Sequence, residues 1–333
     1  MLDLGRLKRI QLIRYPFIQR MVGYILMVNR EWLPGFDVTF ENPERIPEGP
    51  VIYAMNHTDR YNYFPFQVGI WRAYNRFTAT WVKGKYYENW FVASFMEKTN
   101  QLPTISRGYI ISKDFLSAVG RPPNPEEYES ARQWVDATVA GQGDQDAPPP
   151  GIFPEALLQT PRNVLGYPFQ PEKESWAEYV DSTFRLMMQH FVGLNEQAVR
   201  VGLDILVFPQ GTRSKRLLPG HVGLSQIALH TQVPVVPIGC NGSDRLYPGA
   251  SPWAKRGHVL YRIGEPIHYA DIPEMHIDRP FTPFSAEAEE MYAAPFEAHA
   301  RLLTDRINDL LDEPYQQQSD TVRDPTSGIQ RFL

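Results

Sequence analysis

Several short apolar runs in this chain stop abruptly at polar or turn-forming residues. Val51 to Met55 ends at Asn56-His57, Ile205 to Phe208 ends at Pro209-Gln210-Gly211, and Val233 to Ile238 carries prolines at Pro234 and Pro237. Such runs are too short for helices, and apolar side chains at successive positions suit strands covered on both faces. Asp37 to Phe40, Leu102 to Ile105 and residues 258–263 read as further strands. Between the strands, residues 62–75, 83–97, 126–140, 176–201, 224–230 and 286–311 carry the three- and four-residue apolar spacing of helices. Strands alternating with helices imply an α/β fold, a central mostly parallel sheet flanked by helices. No internal repeat interrupts the pattern.

The flanks of this α/β region, taken as residues 36–311, differ from it. Over residues 1–35, Leu4, Leu7, Ile10, Ile13, Phe17, Met21, Tyr24 and Ile25 fall on one helical stripe, with Arg6, Lys8, Arg9, Arg14, Arg20 and Arg30 beside it. That is an amphipathic helical segment, suited either to packing on its own domain or to lying in a membrane interface. The apolar run Met21 to Val28 is far short of the roughly 20 residues that span a bilayer, so no transmembrane helix is expected. The early arginines and lysine also argue against a cleavable signal. Residues 121–174 form a proline-rich insertion around one helix, read as a lid or as surface decoration. Residues 312–333 read as a polar C-terminal tail.

Composition narrows the function. With 333 residues, 43% hydrophobic, the chain can bury a large core. Its net charge of −5 argues against a nucleic-acid partner. A single cysteine, Cys240, excludes an intrachain disulfide and suits a reducing compartment. The histidines lack ligand spacing for zinc, so no metal is expected. The nucleophile elbow of serine hydrolases and the phosphate loop of nucleotide hydrolases are both missing from the sequence.

Two segments carry chemistry. His57 follows a strand, where open α/β sheets place their ligand crevice, and imidazole is the usual base for a hydroxyl near neutral pH. Phe208 to Ser214 follows another strand; Gly211 and Thr212 permit close backbone approach and Arg213 supplies a guanidinium, as an anion-binding loop requires. Taken alone, a histidine is more often a packing or surface residue, and Gly-Thr-Arg is more often a tight turn.

In order and spacing, four motifs resemble those of the lysophospholipid acyltransferase family, which contains the glycerol-3-phosphate and 1-acylglycerol-3-phosphate acyltransferases. The likeness covers roughly residues 35–270 apart from the insertion. The Asn-His-x4-Asp motif falls on Asn56, His57 and Asn62. An arginine-bearing motif falls on Ile105-Ser106-Arg107-Gly108, the Phe-Pro-Glu-Gly-Thr-Arg-Ser motif on Phe208 to Ser214, and a Val-Pro-x-x-Pro strand on Val233 to Pro237.

The resemblance implies that His57 takes the proton of an acceptor hydroxyl, which attacks the thioester of acyl-CoA or acyl carrier protein. It implies that Asn62 orients the ring, and that Asn56, Arg107, Gln210, Gly211, Thr212 and Arg213 form the substrate site, with Asp59, Ser214 and Pro237 as further candidates. No cofactor is implied beyond the acyl co-substrate. The implied partners are a lipid acceptor and the cytoplasm-facing inner surface of a membrane. Neither the acceptor nor the oligomeric state is legible.

Two positions depart from the family pattern: Asn62 stands where an aspartate is expected, and Gln210 where a glutamate is expected. In serine proteases the analogous amide beside the catalytic histidine lowers kcat about 10⁴-fold. Three explanations follow. Asp59 replaces the lost carboxylate; or the amides belong to a working, re-tuned site; or the chain is a catalytically weak or inactive homologue that binds lipid or acyl-CoA in a regulatory or scaffolding role. Retention of Asn56, His57, Gly211, Thr212 and Arg213 favours the second.

Overall fold

The computed structural model describes residues 1–32, 35–141, 148, 151–269 and 272–318. Seven strands form one sheet: β1 (Phe36–Glu41), β2 (Ile52–Met55), β3 (Thr78–Lys83), β4 (Gln101–Thr104), β5 (Asp204–Val207), β6 (Val235–Asn241) and β7 (Gly257–Ile263), in the order β1-β7-β6-β2-β5-β3-β4. Every pairing is parallel except β6 with β7, so five strands from β6 to β4 run one way and β7 and β1 run the other. This is the mostly parallel, helix-flanked sheet expected from the sequence.

Alternation along the central strands divides the core in two. Ile52 and Ala54 of β2 and Ile205 and Val207 of β5 face one hydrophobic layer, while Tyr53, Met55 and Leu206 face the other. The long helix Trp176–Arg200 covers the first layer, starting at Ser175, whose side chain and that of Glu178 close a reciprocal cap. Helix Phe64–Tyr74 sends Phe66 and Ile70 into the second.

Several expected elements are corrected. Residues 1–35 form two helices, Leu4–Arg9 and Phe17–Trp32, with Pro16 just before the second. Residues 83–97 are not one helix: β3 ends at Lys83, and helix Trp90–Lys98 starts only after Asn89, whose side chain caps it. A helix missing from the expectations, Arg107–Val119, follows β4. The closing helix is broken at Tyr292 into Ala286–Met291 and Ala293–Asp309.

The insertion contains helices Pro125–Val139 and Glu155–Gln159. Arg162 pairs with the fully buried Asp114 of helix Arg107–Val119, which also accepts from Trp176 Nε1 at 2.7 Å. The Leu4 N–H donates to the Leu165 carbonyl at 2.9 Å, so the insertion also holds the start of the chain. Part of its proline run and most of the tail, residues 319–333, lie outside the described residues.

Candidate active site

Parallel pairing of β2, β5, β3 and β4 brings the ends of four strands to one edge of the sheet. His57 follows β2, Phe208 follows β5, Lys83 ends β3, and Arg107 lies just beyond β4. The two motif segments are joined directly, because the Ser214 N–H donates to the His57 carbonyl at 2.9 Å.

After β2 the chain must turn back on itself to bring residue 62 to residue 57. Asp59 closes that turn: it accepts from the Tyr61 N–H at 2.8 Å and from Thr58 Oγ1 at 2.9 Å. Burial raises its carboxyl above the usual range, with those hydrogen bonds opposing. The partner of the His57 ring is therefore Asn62, whose Oδ1 lies 3.0 Å from His57 Nδ1. The Asn62 amide has one possible orientation. Its Nδ2 faces the Asn56 carbonyl at 2.8 Å, and a carbonyl only accepts, so Oδ1 must face the ring. An amide oxygen only accepts in turn, so Nδ1 carries the imidazole proton and Nε2 is left with its lone pair. Tyr261 of β7 fixes this arrangement by donating to the Asn62 carbonyl at 2.6 Å.

The imidazole stacks on Phe208, ring centroids 4.0 Å apart. Burial pushes its pKa down to about 4; the Asn62 hydrogen bond opposes the shift, and the charges of Arg213 and Lys83 add to it. The ring is thus neutral at pH 7 and able to accept a proton.

Gln210 is almost fully buried and uses both ends of its amide. Its Oε1 accepts from the His57 N–H at 3.3 Å, while Nε2 donates to the Thr212 carbonyl at 2.8 Å and reaches the His57 carbonyl at 3.5 Å. A glutamate carboxylate would face those two carbonyls with nothing to donate. Gly211 takes a left-handed conformation, φ +67°, and its N–H closes a tight turn onto the Phe208 carbonyl. Arg213 is exposed and makes no hydrogen bond or ion pair among the described residues.

The remaining candidates are engaged within the protein. Asn56 clasps the Cys240 backbone of β6 with both ends of its amide, at 2.9 and 2.7 Å. Pro237 is buried in β6 opposite Ala54 of β2. Arg107 opens its helix beyond β4, three strands across the sheet from β2 and His57. It pairs with Asp181 at 2.7 Å and lies over the Phe184 ring at 4.4 Å.

Sequence reasoning missed two side chains. Lys83 ends β3, a strand absent from the sequence expectations, which start a helix at residue 83. His221 packs on the Phe208–Ser214 loop: a Cβ on Gly211 would meet its Cδ2 at 2.9 Å. The Gly220-His221-Val222-Gly223 sequence was a signal that a chain segment approaches closely there.

Residues 37–241 match the family model described as Acyltransferase. A 1-acyl-sn-glycerol-3-phosphate acyltransferase from Cocos nucifera is 34% identical over 82 residues, covering 24% of this chain and 27% of that protein. A chloroplastic 1-acyl-sn-glycerol-3-phosphate acyltransferase from Brassica napus is 40% identical over 75 residues, covering 22% of each. The matched stretch is thus about a quarter of each relative's length. The crystal structure of the 1-acyl-sn-glycerophosphate acyltransferase from Thermotoga maritima aligns over 91% of this chain and 85% of its own. The TM-score is 0.40 and the identity 16%, too distant for residue correspondences.

Proposed function

Because this chain belongs to the acyltransferase family, we propose that it moves a fatty acyl group from acyl-CoA or acyl carrier protein to a hydroxyl of a lysophospholipid or glycerol phosphate type of acceptor. His57 Nε2 is the general base. It takes the hydroxyl proton as the acceptor oxygen attacks the thioester carbonyl, and the imidazolium then gives that proton to the departing thiolate as the C–S bond breaks. Gly211, Thr212 and Arg213 hold the acceptor's phosphate, with Arg107 as a more distant cation. Fixing both substrates beside a neutral imidazole supplies much of the rate by proximity.

The observation that carries this reading is the matched hydrogen bonding of the two amides. Asn62 uses its N–H for Asn56 and its oxygen for His57, and Gln210 likewise uses both ends. Buried amides need partners in any fold; what favours a working site is that this pairing turns Oδ1 of Asn62 to His57 Nδ1 and so leaves Nε2 with its lone pair, as a general base requires. The membrane part of the reading concerns the second N-terminal helix. Leu2, Leu4, Leu7, Ile10 and Leu12 are buried against the domain, while Phe17, Met21, Tyr24 and Ile25 are exposed. No helix among the described residues is long and apolar enough to cross a membrane. We place the protein peripherally on a cytoplasm-facing membrane surface, with the second helix in the interface.

The test is thiol release from acyl-CoA or acyl carrier protein, with lysophospholipid, glycerol phosphate and other hydroxyl acceptors. Acceptor-dependent release, abolished by His57→Ala, is the expected result. Binding of acceptor or acyl-CoA by the wild-type chain without turnover would sink the enzyme reading and leave a lipid-binding homologue.

A further inference from the structure

A second element lies against the exposed N-terminal helix. Helix Trp90–Lys98, between β3 and β4, buries only Ala93, while Trp90, Phe91 and Phe95 are 66%, 76% and 43% exposed. Large apolar side chains in water are ordinary when scattered, but three on one two-turn helix form a patch that needs an explanation. This helix and helix Phe17–Trp32 line, together with helix Phe64–Tyr74, a half-open and mostly apolar pocket of about 70 Å³ whose walls include Val22, Gly23, Phe95 and Met96. The two helices are also in direct contact, so their exposed faces adjoin. Its surroundings are basic: Arg14 and Arg20 beside the first helix and Lys98 at the end of the second are exposed. Two acids of this region are occupied, Glu97 by Arg6 at 2.7 Å and Glu88 by Lys113 at 3.1 Å.

We propose that these two helices form a single bipartite face that seats in the interface of an anionic lipid bilayer, with Trp90, Phe91 and Phe95 as anchors that the N-terminal segment alone lacks. Aromatic side chains above a cationic rim match that environment, where rings sit at headgroup level and cations meet anionic lipid. The same face approaches the candidate active site from behind. Tyr63 and Phe64 line the cavity, and the Tyr63 ring packs edge-on against Phe208 at 6.1 Å, whose other neighbour is His57. Seating this face would thus bring a lipid surface to the site through residues already in contact with it.

The inference extends the membrane part of the reading above, but its test needs no turnover. The full chain is sedimented with phosphatidylcholine vesicles, with and without phosphatidylglycerol. Wild type and His57→Ala should bind alike, and more strongly to the anionic vesicles. Trp90→Ser/Phe91→Ser/Phe95→Ser should weaken binding at least about tenfold, as should Phe17→Ser/Tyr24→Ser. All of these residues are exposed, and an unchanged thermal melt certifies each variant's fold. Trp90 fluorescence, isolated by subtracting Trp90→Phe, should shift to the blue on binding and be quenched by brominated lipid. Unchanged binding of the Trp90/Phe91/Phe95 variant, or an unquenched Trp90, would overturn the proposal. So would a self-associating wild type that ignores vesicles and becomes monomeric in that variant, since the face would then cover a second copy.

Discussion

At His57 the identity of one neighbouring atom decides the chemistry. Asn62 fixes the tautomer as an aspartate would, but it brings no charge to stabilise the imidazolium. Its cost follows from the 3.0 Å contact, where a neutral amide stands in place of a carboxylate, and burial of the ring supplies the compensation. With the ring pKa pushed to about 4, chiefly by burial, the base form persists down to that pH. The acid limb of kcat/KM should therefore lie well below the usual histidine value near 6.5. A bound phosphate would offset the Arg213 charge, so the limb of kcat should lie higher than that of kcat/KM. Asn62→Asp places a carboxylate beside the ring, which favours the imidazolium and must move the acid limb to higher pH. It also turns an oxygen toward the Asn56 carbonyl, so the rate at neutral pH should not rise. A large rise in rate would mean that the native site is impaired.

Gln210 makes a separate prediction, one of stability. Gln210→Glu buries a carboxylate against the Thr212 and His57 carbonyls and should cost about 1–3 kcal/mol, read as a lower denaturant midpoint at pH 7. Sequence made His57, Asn62 and the Phe208–Ser214 loop legible, because their residue types are tied to a strand end. The clasp made by Gln210 and the turn closed by Asp59 were not legible, and the Gly220–Gly223 segment signalled a close approach without showing that His221 meets Gly211. Each depends on which atom a side chain meets after the chain has folded.

The elements tell the same story over a longer range. Val51–Met55 and Ile205–Phe208 were readable because both faces of those strands meet core. Helix Arg107–Val119 was unreadable because Ser112, Lys113 and Asp114 are buried in it, which destroys the apolar period. The partners that make their burial tolerable, Glu88 for Lys113 and Arg162 with Trp176 for Asp114, lie far off in sequence. Arg162 reaches Asp114 from the insertion, whose carbonyl at Leu165 holds Leu4. The described part of the insertion is thus tied to both the helical layer and the start of the chain. Arg162→Ala would leave Asp114 buried without its counter-charge and should cost about 3–5 kcal/mol, measured by denaturant unfolding. Asp114→Asn together with Arg162→Leu should recover part of that loss, since removing both charges removes the unpaired one.

For the whole molecule, the sequence by itself determined the α/β class, the family motifs and the two strand ends that carry the site. Local periodicity and residue chemistry are properties of short segments, and they survive in one dimension. Tertiary structure decided the strand order β1-β7-β6-β2-β5-β3-β4, which puts β5 beside β2 and so joins His57 to Ser214, while setting Arg107 three strands away. It also decided which apolar side chains of the first 25 residues are core and which face outward: the stripe looks continuous in sequence, yet Leu2, Leu4, Leu7, Ile10 and Leu12 are buried, whereas Phe17, Met21, Tyr24 and Ile25 stay exposed on a helix that packs by its other side. Apolar spacing states that a face must be covered. Only the packed neighbours determine whether the protein itself covers it.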